Sequence, residues 1–73
     1  MSVENRARIW RALKALRAQR VILLRRLEEI NENLRFLPIG SRARHEVLEA
    51  RVSIKRALRL NEIAIKNLRR SLL

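Results

Sequence analysis

The sequence predicts an all-α protein: an antiparallel two-helix hairpin with a coiled-coil-like seam. Three observations lead to this fold. A single helix-breaking segment lies near the middle of the chain, apolar residues on both sides of it are spaced alternately three and four apart, and strand-forming residues are scarce. The 73 residues include one Gly, one Pro, one Phe, one Trp and no Tyr. Strands and their turns use aromatic, glycine and proline residues, so this composition disfavours a β fold.

The break is the segment Pro38-Ile39-Gly40-Ser41. Pro38 disfavours the helical conformation at Leu37, and Gly40 supplies the conformational freedom that a tight reversal needs. Ser41 is a candidate N-cap for the second helix, as Ser2 is for the first. We therefore expect a single helical hairpin over residues 1–73, with helices over about 3–37 and about 42–73 and a turn at 38–41.

The apolar spacing predicts that the two helices pack on each other along one seam. In the first helix the seam positions are 9, 13, 16, 20, 23, 27, 30, 34 and 37, and all but Arg20 are Ile or Leu. In the second helix they are 47, 51, 54, 58, 61, 65, 68 and 72, with Arg51 and Asn61 as polar exceptions. A short connection makes the helices antiparallel neighbours. Arg20 and Asn61 are then expected within about one turn of each other, as a buried polar layer that fixes register, with Glu62 as the nearest acid. The alternative is that Arg20 extends to solvent.

Apolar residues outside the seam predict a second buried surface. A lone hairpin has only one interior, so these residues indicate self-association into a helical bundle or a larger assembly. The residues expected at this oligomer interface are Trp10, Val21, Ile22, Leu24, Leu60 and Ile63. A row of small residues at every seventh position would let another helix approach closely: Ala50, Ala57, Ala64 and Ser71.

Charge is distributed unevenly along the chain. Lys and Arg number 18 against seven acids, which gives a net charge of +11, and 15 of the 18 cations are Arg. Residues 1–27 carry a net +7, residues 28–49 carry −2 and residues 50–73 carry +6. Folding at the break brings the first and third segments together. The end of the hairpin that holds the chain termini, the open end, is therefore expected to carry +13, and the turn end −2.

A basic, Arg-rich surface with little acid to pair with indicates a polyanionic partner. We expect nucleic acid, DNA or RNA, bound through its phosphates with little sequence specificity, because the chain lacks recognition motifs and has too few aromatics for base stacking. A packaging or coat (nucleocapsid-like) subunit or a ribonucleoprotein subunit would act in this way. The alternative is a self-assembling helical-bundle scaffold, natural or designed, whose charge serves solubility only. The expected nucleic-acid-binding residues are Arg6, Arg8, Arg11, Lys14, Arg17, Arg56, Arg59, Lys66, Arg69 and Arg70.

Other classes of function find little support. The chain has no Cys and no Asp, and its serines have no general base placed by any motif, so we expect no enzyme, cofactor or small-molecule substrate. His45 has only Glu46 and Glu49 nearby, fewer ligands than a metal site needs. Glu28, Glu29 and Glu32 are expected to pair with arginines within the helix. We expect neither a transmembrane helix nor a signal peptide, no action at a membrane surface, and a location inside the cell, a virion or a nucleoprotein particle.

Overall fold

The predicted all-α antiparallel hairpin is confirmed. The computed structural model describes residues 2–73, which form two helices, α1 (Val3–Leu34) and α2 (Arg42–Ser71). The helices pack side by side into a rod of 55 × 14 × 13 Å. The rod is one helix pair thick throughout, so nearly every residue outside the seam faces solvent.

Both helices begin at a serine cap, as the sequence predicts. The Ser2 side chain accepts a hydrogen bond from the Asn5 N–H at 3.2 Å, and the Ser41 side chain accepts one from the Arg44 N–H at 3.1 Å. Both serines have extended backbone conformations, which are typical of N-cap residues. Each cap satisfies one of the free N–H groups of a first helical turn.

α1 ends at Leu34, three residues before the predicted end. The N–H groups of the next three residues bond to carbonyls three positions back instead of four, which tightens the chain out of the helix before Pro38. The Arg44 guanidinium then reaches back from α2, and its Nη1 donates to the Leu34 oxygen at 2.8 Å and to the Leu37 oxygen at 3.2 Å. A charged side chain of α2 thus donates to two carbonyls at and just beyond the end of α1, one of which, that of Leu34, also accepts from the Leu37 N–H.

The reversal itself depends on Gly40, whose φ is +84°. This is the left-handed region that glycine enters without a steric penalty. The main chain closes the turn with a hydrogen bond of 3.1 Å from the Ser41 N–H to the Pro38 oxygen. At the other end of the rod, α2 stops at Ser71, two residues before the predicted end, with Arg69 and Arg70 in its last turn.

The predicted seam is the core of the hairpin. Every seam position of both helices is buried or half-buried. Leu13 is the most deeply buried of them, and Leu23 and Leu34 are the other two buried apolar residues of residues 2–73. So few fully buried residues make a thin core, and the isolated hairpin is therefore expected to be marginally stable.

A polar contact between the helices is present at the buried Asn61, but its partner is the exposed Gln19 and not Arg20. Asn61 is only 4% exposed, and its Nδ2 donates to the Leu16 oxygen at 2.8 Å and to the Gln19 Oε1 at 3.0 Å. Its Oδ1 is buried without a hydrogen-bond partner among residues 2–73. Arg20 is half-buried and, within that range, makes no hydrogen bond to Asn61 and no ion pair with Glu62.

Candidate nucleic-acid interface

The seam divides the rest of the hairpin surface into two flanks. In an antiparallel pair, residues that directly follow a seam residue lie on the same side of both helices, and residues that directly precede one lie on the opposite side. Towards the open end the first side carries six cations, and this stretch is called the basic flank here: Lys14 and Arg17 from α1, with Lys55, Arg59, Lys66 and Arg69 from α2. The same side also carries Glu62 among these cations, and Glu28 and Arg35 nearer the turn, outside the basic flank. The opposite side is called the uncharged flank, and its residues are given below.

All ten cations predicted to bind nucleic acid are exposed in the structure. Five of them share the basic flank: Lys14, Arg17, Arg59, Lys66 and Arg69. Arg11, Arg56 and Arg70 lie on the outer faces of the helices, opposite the seam. Arg8 lies at the margin of the uncharged flank, and Arg6 continues the seam row towards the open end.

Lys55 is a basic-flank residue that the sequence analysis did not include. It is exposed and directly follows the seam residue Ile54, just as Arg59 directly follows Leu58. Lys55 can therefore be recognised from its position directly after a seam residue. Net charge by segment does not contain this information.

None of the ten cations is neutralised by an acid within the described chain. The ion pair found among residues 2–73 is Arg42–Glu46, with 3.4 Å between Nε and Oε1, and His45 contacts Glu49, with 3.1 Å between Nε2 and Oε1. Both lie in the first turns of α2, at the turn end of the rod. The positive charge of the open end therefore stays available to an external anion.

The ion pairs expected for Glu28, Glu29 and Glu32 do not form within residues 2–73. These side chains are exposed, and an exposed pair within a helix contributes only about 0.3–0.5 kcal/mol, which barely offsets the entropy lost in holding two long side chains together. The acids still keep the turn end of the rod at a net charge of −2.

The six predicted interface residues are exposed but do not form one patch. Their exposed fractions run from 41% for Leu24 to 63% for Leu60. Three of them directly follow seam residues and therefore lie on the side of the basic flank: Trp10, Val21 and Leu24. Ile22 and Leu60 lie on the uncharged flank, and Ile63 lies beside Leu60 on the outer face of α2. A single flat interface can therefore cover only some of the six.

The described residues offer no further kind of site. In the part of the chain that the structure describes, no three His, Asp or Glu side chains lie together as a metal site would require. Within the same residues, no helix is both long enough and apolar enough to cross a membrane. Comparisons with protein-family models, with curated proteins and with solved structures find no match to this chain.

Proposed function

We propose that this protein is a non-enzymatic structural protein that binds nucleic acid through phosphate contacts with little sequence specificity. It would act as a packaging or coat subunit, or as a subunit of a ribonucleoprotein. The observation that carries the proposal is the set of ten exposed cations, unpaired within the described chain, on and around the open end of the rod.

The chemistry of these cations suits phosphate. Eight of the ten are Arg, whose planar guanidinium donates two parallel hydrogen bonds to phosphate oxygens and is weakly hydrated. Without an anion, the same side chains repel one another and destabilise the hairpin. A polyanion removes that repulsion, so binding is expected to stabilise the fold as well.

The dimensions of the basic flank suit a nucleic-acid backbone. From Lys55 to Arg69, α2 advances about 21 Å at ~1.5 Å per residue, which corresponds to about six nucleotides of a duplex strand. The flank has one aromatic side chain, Trp10. Stacking on bases therefore contributes little, and the contacts would follow the backbone.

Salt dependence gives the proposal a quantitative signature. If all six basic-flank cations contact phosphates of a duplex, the logarithm of the binding constant should fall with the logarithm of salt concentration with a slope of about −5, at ~0.9 per phosphate. The slope should be the same for duplexes of unrelated sequence, because backbone contacts carry no sequence information.

A matched pair of charge reversals tests the placement. Arg59→Glu with Lys66→Glu reverses two cations of the basic flank, and Arg35→Glu with Arg42→Glu reverses two exposed cations of the turn end. Both double variants have the same net charge, four units below the natural chain. We expect the first to lose at least tenfold in affinity for duplex DNA and duplex RNA and to lower the salt slope by about two units. The second should change affinity little.

Binding titrations at several salt concentrations measure the affinities and salt slopes of both variants, and circular dichroism checks that their helicity is unchanged. Equal losses in the two variants would show that net charge alone governs binding and that the basic flank is not the site. Failure of the natural protein to bind either duplex at physiological salt would overturn the proposed function and favour the scaffold alternative.

A further inference from the structure

The uncharged flank is a continuous surface built by both helices. In α2 it consists of the residues that directly precede seam residues, and none of them is charged between positions 50 and 71: Ala50, Ser53, Ala57, Leu60, Ala64, Asn67 and Ser71. In α1 the corresponding run is Ala12, Ala15, Gln19 and Ile22. Leu60 is 63% exposed and Ile22 is 51% exposed, so the larger apolar side chains of this flank face solvent.

The two runs lie at the same height along the rod. The hydrogen bonds from Asn61 to Leu16 and Gln19 place the middle of the α2 run, at Leu60, beside the middle of the α1 run. Arg8 and Arg26 bound the α1 run, so charge returns only outside this shared region. The two helices thus present one uncharged patch, with the apolar Leu60 near its centre, and not two separate stripes.

The exposed area of the hairpin is larger than a stable monomer of its size needs. The solvent-accessible surface is 6185 Å², whereas a globular protein of 8.7 kDa exposes about 4,700 Å². The excess of roughly 1,500 Å² exceeds the ~800 Å² that each partner buries in an interface of standard size. A second hairpin on one flank can therefore be accommodated, and it would thicken a core that has few buried residues.

We infer that a second copy of this chain packs its uncharged flank against the same flank, antiparallel to the first, to form a four-helix bundle with two-fold symmetry. An antiparallel two-fold places α2 against the α2 of the partner, with Leu60 near the axis and Ala57 and Ala64 allowing close approach. The basic flanks of both copies stay on the outside, so this pairing does not depend on the proposed binding of nucleic acid.

Charge favours the antiparallel arrangement over the parallel one. Each open end carries a net +13 and each turn end −2. Antiparallel packing places each open end beside the turn end of the other copy, whereas parallel packing would place two ends of +13 side by side. The second copy thus complements the first in both apolar surface and charge.

Substitution of matched apolar residues by lysine tests the choice of flank. Leu60→Lys places a charge at the centre of the uncharged flank, and Val52→Lys adds the same charge on the opposite side of α2, where Val52 is 56% exposed. Without nucleic acid and at high salt, light scattering should give twice the chain mass for the natural protein and for Val52→Lys. The Leu60→Lys protein should shift towards the single-chain mass, with its dimer dissociation constant raised at least tenfold.

Because Leu60→Lys could also unfold a chain that folds only as a dimer, cross-linking provides an independent measurement. The natural chain has no cysteine, so Leu60→Cys and Val52→Cys each introduce a single thiol. Mild oxidation should link Leu60→Cys chains rapidly and Val52→Cys chains at least tenfold more slowly. Trp10 lies on the opposite flank, so its emission spectrum should not change as protein concentration rises through dimer formation.

Three outcomes would overturn the inference: a natural protein that stays at the single-chain mass at high concentration and high salt, equal cross-linking of the two cysteine variants, or a shift of Trp10 emission to shorter wavelength on association. None of these bears on the nucleic-acid titrations, so the two proposals can fail separately.

Discussion

Replacing Asn61 by Leu should make the hairpin more stable. Asn61 is the most buried polar residue of residues 2–73, and its Oδ1 has no hydrogen-bond partner there. A buried polar atom without a partner costs about 1–3 kcal/mol. The substitution removes that atom and adds apolar volume between α1 and α2.

The opposing contributions can be estimated from the same contacts. Leu loses the two hydrogen bonds from Nδ2, to Leu16 and Gln19, at about 1 kcal/mol each. Neither acceptor is left unsatisfied, because the Leu16 oxygen is a helical carbonyl and Gln19 is exposed to water. Burial of a Leu side chain contributes about 2 kcal/mol. Together with loss of the unpaired Oδ1, the free energy of unfolding should rise by about 2 kcal/mol, which raises Tm by about 8–16 °C for a chain of this length.

Thermal and urea unfolding followed by circular dichroism at fixed protein concentration measures this change. Asn31→Leu, an exposed position of α1, is the control, and its free energy of unfolding should stay within ~0.5 kcal/mol of the natural value. The mass of each sample should be followed as well, because a buried polar residue also restricts register and oligomeric state. An unchanged or lower Tm for Asn61→Leu would refute the reasoning, since it would mean that the two hydrogen bonds outweigh the unpaired oxygen and the apolar gain.

Two further substitutions test the turn and the core. Arg44→Met keeps the aliphatic part of the side chain but removes the donors to the Leu34 and Leu37 oxygens. Urea unfolding should show that this variant loses about 1–3 kcal/mol of unfolding free energy. The control is Arg42→Met, at a side chain that is 92% exposed, and it should cost less than ~0.5 kcal/mol. Leu13→Ala opens a cavity at a side chain that is 1% exposed and should cost about 2–5 kcal/mol in the same assay. Equal effects of the two methionine variants, or a loss below ~1 kcal/mol for Leu13→Ala, would contradict these assignments.

Periodicity and capping residues were enough to predict the fold. Apolar residues three and four apart report directly which side of a helix is buried, and every seam position is buried or half-buried as predicted. Ser2 and Ser41 cap their helices because a serine side chain binds the backbone only a few residues away. Such local interactions can be predicted from sequence neighbours alone.

The end of α1 and the composition of the polar contact could not be predicted in this way. At the end of α1, the Leu34 oxygen accepts a hydrogen bond from Arg44, ten residues further along the chain. In the polar contact, Asn61 donates to Gln19, which is 42 residues away. Both contacts depend on side-chain conformations that form only once the helices are packed. Helical periodicity alone therefore does not predict either contact.

The sequence contains more information about the candidate site than net charge by segment provides. Net charge by segment located the positive end of the rod but not its basic flank. Trp10 directly follows a seam residue and Leu60 directly precedes one, so the sequence already places them on opposite flanks. That distinction needs only the seam and the antiparallel direction, both of which the sequence predicts.

The position of the turn also sets the order in which the hairpin can fold. Residues beside the turn, such as Leu34 and Arg44, are close in sequence, so their contacts cost little loop-closure entropy. Partners nearer the open end, such as Leu16 and Asn61, are 45 residues apart and must close a long loop unless the helices pair progressively from the turn. The open end is therefore expected to close last and to exchange its amide hydrogens first. The cations are concentrated at the same end. A bound polyanion would therefore slow separation of the two helices where they separate most readily.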